Sequence, residues 1–175
     1  MPNELRFVLD TNVMVSALLL KQSIARQAFD KAMRVGKLLI SQATVEELNA
    51  VPRRKGFEPY ITESERLEFL GAWVRDAILI GVTERVAGCR DPKDDKISRT
   101  GVDGRAHCIV TGDEDLLELH PFRGIAIPTP RQFLDYPVAD WGETRGCAGM
   151  AGMRRDPGGK ALFPDPKDAE TAKPL

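Results

Sequence analysis

The run Phe7-Val8-Leu9-Asp10-Thr11-Asn12-Val13 constrains this chain more than any other. From Leu5 to Leu9 the residues are apolar except for Arg6, the composition of a short buried strand. That strand breaks off at a carboxylate, and a helical pattern from Asn12 to Leu20 takes over. The chain repeats this order of strand, acid and helix, so it is expected to fold as an α/β protein with a mostly parallel central sheet and helices on both faces, a three-layer α/β/α sandwich. In such a sheet, ligands collect at the carboxyl ends of the strands, which is where Asp10 is delivered. A carboxylate in that position also serves as an ordinary helix cap, and the motif alone fits both readings.

The remaining elements follow from local signals. Ser23 opens a helix through Ala28, Phe29 and Met33 that ends at Gly36, a place suited to a left-handed cap. Lys37 to Ser41 is a second buried strand, and Gln42 to Val51 is a helix stopped by Pro52. On it Val45, Leu48 and Val51 share a face with Thr44, which leaves Glu46 pointing away and Glu47 on the flank of the buried stripe. Thr62-Glu63-Ser64-Glu65 is a capping box, and the helix after it is expected to bury Leu67, Leu70, Trp73 and Val74. Strands are expected at Ala77–Val82, His107–Thr111 and Ile125–Ile127, with a last helical turn opened by Thr129-Pro130.

Two further stretches crowd acids where helices begin. Arg90-Asp91-Pro92-Lys93-Asp94-Asp95-Lys96 places three acids at a helix start, more than the helix dipole needs, and Gly112-Asp113-Glu114-Asp115 follows the strand ending at Thr111. Carboxylates from separate elements at one sheet edge repel each other unless they share protons or hold cations. Oxygen ligands without histidine select hard ions such as Mg²⁺ or Mn²⁺. His107 begins a strand and His120 precedes Pro121, so both read as core or surface residues rather than ligands.

The motifs FVLDTNVMVSALL, SQATVEEL, RDPKDDK, IVTGDEDLL and GIAIPTPRQFL, in this order between Phe7 and Leu134, resemble a PIN domain of the VapC-like toxin group of bacterial type II toxin–antitoxin systems. The resemblance implies an acidic set of Asp10, Glu47, Asp95 and Asp113 as catalytic metal ligands, with Asp115 as a fifth, and Asn12 and Thr111 as polar companions that orient Asp10 and a water. It implies a Mg²⁺- or Mn²⁺-dependent endoribonuclease that hydrolyses RNA phosphodiesters, is held by a cognate antitoxin and forms a homodimer. A haloacid-dehalogenase-like phosphatase would want a second Asp where Asn12 stands.

Composition limits the alternatives. The 175 residues, 42% hydrophobic, suffice for one core, and a net charge of −1 argues against a protein that coats nucleic acid through a broad basic face. Three cysteines without CxxC spacing favour reduced thiols and a cytoplasmic home, and the longest apolar run, Val13 to Leu20, is too short to cross a membrane. Residues 1–135 are expected to form the domain and 136–175, rich in Gly, Pro and charge, a disordered tail. Arg53-Arg54-Lys55 is the densest basic run, read as a solvated loop or a phosphate contact.

One stretch departs from the family pattern. Family members carry an apolar turn of the type Phe-Leu-Glu-Leu-Ala where this chain has Ile97-Ser98-Arg99-Thr100-Gly101, as a shifted and restored reading frame would produce. Ser, Thr and Gly weaken a helix, Gly by about 1 kcal/mol against Ala. The run is therefore expected to loosen the setting of Asp95, and the alternative function is a catalytically impaired scaffold acting as a binding module.

Overall fold

The computed structural model describes residues 4–50, 59–81 and 92–136, those at 92–95 by their backbone alone. Strand β1 (Arg6–Leu9) lies inside the sheet, parallel to β2 (Lys37–Ile40) on one side and β4 (Cys108–Val110) on the other. A two-residue edge strand, β3 (Ile78–Leu79), adds to β2, and all four strands run parallel in the order β3-β2-β1-β4. Because successive strand residues face opposite sides, Phe7 and Leu9 enter one buried cluster with α1 (Thr11–Leu19), α2 (Ile24–Val35), α3 (Gln42–Ala50), α4 (Glu63–Asp76) and α7 (Pro130–Asp135). Val8 enters the other cluster with α5 (Pro92–Asp103) and α6 (Glu114–Glu118). These two clusters make the three-layer α/β/α sandwich.

The caps fall where their residues predict. Ser23 accepts from the Arg26 N–H at 3.1 Å, and Thr62 with Glu65 and Thr129 with Gln132 each close a reciprocal capping box. Gly36 differs from expectation: its φ of −167° is extended rather than left-handed. What requires glycine there is space, since a Cβ would run into the Leu5 carbonyl oxygen and lie 2.8 Å from the Phe7 ring.

Four other expectations are corrected. In α4 the buried face is Arg66, Leu70 and Trp73, while Leu67 and Val74 are 54% and 43% exposed. The apolar stripe and the observed face share Leu70 and Trp73, and Phe69 packs on Phe29, ring centroids 4.9 Å apart. Burying Arg66 is tolerable because its guanidinium donates to Asn49 Oδ1 at 2.6 Å and Glu63 Oε1 at 3.4 Å. The third strand shrinks to Ile78–Leu79. The fifth is reduced to one parallel bridge, Ala126 to Cys108, beside a tight turn in which Arg123 and Gly124 take positive φ.

The fourth correction concerns residues 97–101. Helix α5 continues unbroken to Asp103, and Ile97, Ser98 and Thr100 are all buried. Thr100 returns its hydroxyl to the Lys96 carbonyl at 2.9 Å, so its polarity is satisfied within the helix. A Cβ on Gly101 would stand 2.9 Å from Ile109 Cδ1. Small residues here let α5 lie close against β4, and the run that looks like a poor helix is a packing surface. Arg53-Arg54-Lys55 and the tail from 137 onward lie outside the described residues.

Candidate active site

The sheet order fixes where a site can form. From β1 the chain moves to β2 and then β3 on one side, and later returns to add β4 on the other, so the order reverses between β1 and β4. Crevices at the carboxyl ends of strands open at such a reversal. Leu9 pairs with Val110, and the Asp10 N–H donates to the Val110 carbonyl at 2.9 Å, which brings Asp10 and Thr111 abreast at that end. The register of β1 on β2, Phe7 opposite Leu38, carries the same line to Ser41.

Asp10 is 7% exposed and stands at the N-cap position of α1, with the Thr11 and Asn12 N–H groups of the first turn directed at its carboxylate. The Thr111 hydroxyl donates to Asp10 Oδ2 at 2.9 Å and accepts from the Asp113 N–H at 3.0 Å. One hydroxyl thus ties the β1 acid to the loop that carries the next acid. Burial raises the Asp10 pKa above the usual carboxylate value, against the Thr111 hydrogen bond and the Asn12 N–H, and the charge of Asp113 adds to the rise. No lysine or arginine is paired with Asp10 among the described residues.

Glu47 comes from the neighbouring element. It sits on the flank of α3, half-buried, beside buried Thr44 and Leu48 and opposite to exposed Glu46. Ser41 starts that helix: its hydroxyl accepts from the Thr44 N–H at 3.3 Å and shares a hydrogen bond with the Thr44 hydroxyl at 2.9 Å. The Thr11 hydroxyl, one residue beyond Asp10, donates to Glu47 Oε2 at 3.0 Å.

The other predicted residues are placed less tightly. Asp113 caps α6, its Oδ1 accepting from the Asp115 N–H at 3.0 Å, and Asp115 itself is exposed. Asn12 has an exposed side chain, and it is its backbone N–H that is turned to Asp10. Asp95 lies in the first turn of α5, where only the backbone is described. Among the described residues no three His, Cys, Asp or Glu side chains form a group able to enclose a metal; Asp10 and Asp113 are the coupled pair, and Glu47 joins through Thr11. The donors are oxygens only, and Asp10 is a buried acid with no neutralising side chain among the described residues, which fits a hard cation.

Histidines stay out of this arrangement. His107 Nδ1 accepts from the Arg6 N–H at 3.1 Å and buried His120 Nδ1 from the Ile127 N–H at 2.8 Å, both structural contacts. Sequence reasoning missed Thr11 and Ser41. Ser41 was legible as a serine directly before a helix, whereas Thr11 gave no signal, because its partner is 36 residues away.

A parallel sheet with a buried acid at its switch point defines a class of α/β proteins with a polar site at the strand ends. The family is set by comparison: a family model for the PIN domain matches residues 6–115, more than half of the chain, and the chain belongs to that family. An uncharacterised protein of Methanocaldococcus jannaschii is 25% identical over 143 residues, which cover 75% of this chain and 91% of that one. Among solved structures, VapBC2 from Rickettsia felis bound to a DNA fragment from its promoter is 14% identical, with a TM-score of 0.48 over 70% of this chain and 97% of that one. Among the described residues no helix is long and apolar enough to cross a membrane.

Proposed function

We propose that the protein is a Mg²⁺- or Mn²⁺-dependent endoribonuclease, the cytoplasmic toxin of a toxin–antitoxin pair, acting as a homodimer and restrained by a cognate antitoxin. The observation that carries the reading is Asp10: buried at the switch point, paired with no lysine or arginine among the described residues, and tied through Thr111 to the loop bearing Asp113. PIN domains are nucleases in general, and family membership supports the reaction class.

In this reading Asp10, Glu47, Asp95 and Asp113 hold the cation, with Asp115 at the rim. A bound divalent ion supplies a water acidified toward neutrality and positive charge against the scissile phosphodiester. The chain's part is to hold its carboxylates still. Thr111 keeps the Asp10 carboxylate from turning, and the Asn12 side chain, exposed beside it, orients a water. The impaired-scaffold alternative drew on a weakened helix at 97–101, and α5 runs intact through that stretch.

The test is cleavage of end-labelled single-stranded RNA by the purified protein in Mn²⁺ or Mg²⁺, beside Asp10→Asn and a chelated sample. Loss of activity by at least about 100-fold in both controls is expected, since even outer-shell partners of metal ligands are worth 10–100-fold. Cleavage that persists in Asp10→Asn refutes this site.

A further inference from the structure

Thr11 is the residue of the site for which the reaction gives no immediate part. It follows Asp10 directly, is 9% exposed, and its hydroxyl reaches across to α3 to donate to Glu47 Oε2 at 3.0 Å. That is the hydrogen bond Glu47 receives from a side chain among the described residues, and it occupies one of the two carboxylate oxygens. Glu47 is carried by a nine-residue helix whose described buried residues are Thr44 and Leu48 alone. Glutamate has three rotatable side-chain bonds and gains most from an external anchor. Asp10 needs less help, being buried and held by Thr111.

We propose that Thr11 is a positioning residue for the cation site: its hydroxyl fixes the Glu47 carboxylate beside Asp10, so that the acids of β1 and α3 act on one ion. The inference rests on the metal-site reading above. Thr11 itself touches neither cation nor substrate. Serine keeps the donor, whereas valine keeps the shape and removes it. Outer-shell groups of this kind are worth about 10–100-fold in metal affinity.

The experiment is Mn²⁺ titration of the nucleic-acid-free protein, read by the electron paramagnetic resonance signal of free Mn²⁺, for wild type, Thr11→Val, Thr11→Ser, Glu47→Ala and the Thr11→Val/Glu47→Ala double variant. Circular dichroism confirms the fold of each. Thr11→Val is expected to weaken Mn²⁺ binding about tenfold and Thr11→Ser by less than about twofold. In the double variant, Thr11→Val should add nothing to the loss caused by Glu47→Ala, which removes the acceptor, because the hydroxyl acts only through that carboxylate. Unchanged affinity in Thr11→Val, or full additivity in the double variant, overturns the role of Thr11 alone. No Mn²⁺ binding by the wild type overturns the metal-site reading along with it. If Thr11→Val does not fold, Thr11→Ser and Thr11→Ala take its place, and equal weakening in both overturns the proposal.

Discussion

Asp10 sits where the fold gains least from a charge. Its carboxyl pKa is raised chiefly by burial, so in the folded protein it keeps its proton to higher pH than in the unfolded chain. Between those two values the folded state binds more protons, and stability falls as pH rises through that window. At neutral pH the metal-free protein therefore carries a cost that Asp10→Asn removes, while the amide oxygen can still accept from Thr111. Asp10→Asn is expected to melt at a higher temperature than wild type at about pH 7 in chelator, with the difference shrinking toward about pH 4. Thermal melts at the two pH values decide it, and a lower melting temperature for the variant would show that the ionised carboxylate stabilises the metal-free fold.

Helices α5 and α2 show how elements are matched to the sheet. Gly101→Ala should gain about 1 kcal/mol in helix propensity, but the new methyl meets Ile109 at 2.9 Å and 3.2 Å. Overpacking of that kind costs about 1–3 kcal/mol, so urea unfolding is expected to show no gain and a net loss of up to about 2 kcal/mol. In α2, Lys31 is 9% exposed, and its ammonium donates to the carbonyls of Phe133, Leu134 and Tyr136 at 2.8, 3.0 and 2.7 Å. One helix thus caps the carboxyl end of another, with Phe133 also packed edge-on to Phe7 at 5.3 Å. Burial lowers the Lys31 pKa, and the carbonyls are what make a buried ammonium tolerable. Lys31→Met is expected to lose about 2–3 kcal/mol in the same assay, because it leaves those carbonyls without their charged donor.

For the whole molecule, a ligand bound only by the folded state raises its stability by mass action, about 2.7 kcal/mol at one hundred times Kd. Mn²⁺ should raise the melting temperature of the wild type and leave that of Asp10→Asn unmoved; a shift shared by both would place the ion elsewhere. Much of the fold that frames this site was readable in the chain. The buried run at β1, the box at Thr62, the helical turn opened by Thr129-Pro130 and the flank position of Glu47 all depend on residues a few positions apart, and local spacing suffices for them. Leu70 and Trp73 were readable as buried from their spacing, but Arg66 inward and Leu67 outward were not, because an arginine goes inside only where partners such as Asn49 and Glu63 meet its guanidinium. Residues 97–101 were misread for the same reason: Gly101 is a weak helix former in isolation and a close fit only once Ile109 lies opposite.

The sequence by itself determined the alternation of strand, acid and helix, and with it a parallel sheet that delivers Asp10 to its carboxyl edge. Tertiary structure alone decided that the strand order reverses beside that acid, that Thr111 joins it to the Asp113 loop, and that Thr11 reaches Glu47. The physical reason is range: periodicity and caps act over a few residues, whereas these hydrogen bonds join residues up to 101 positions apart and exist only after the sheet has set its register.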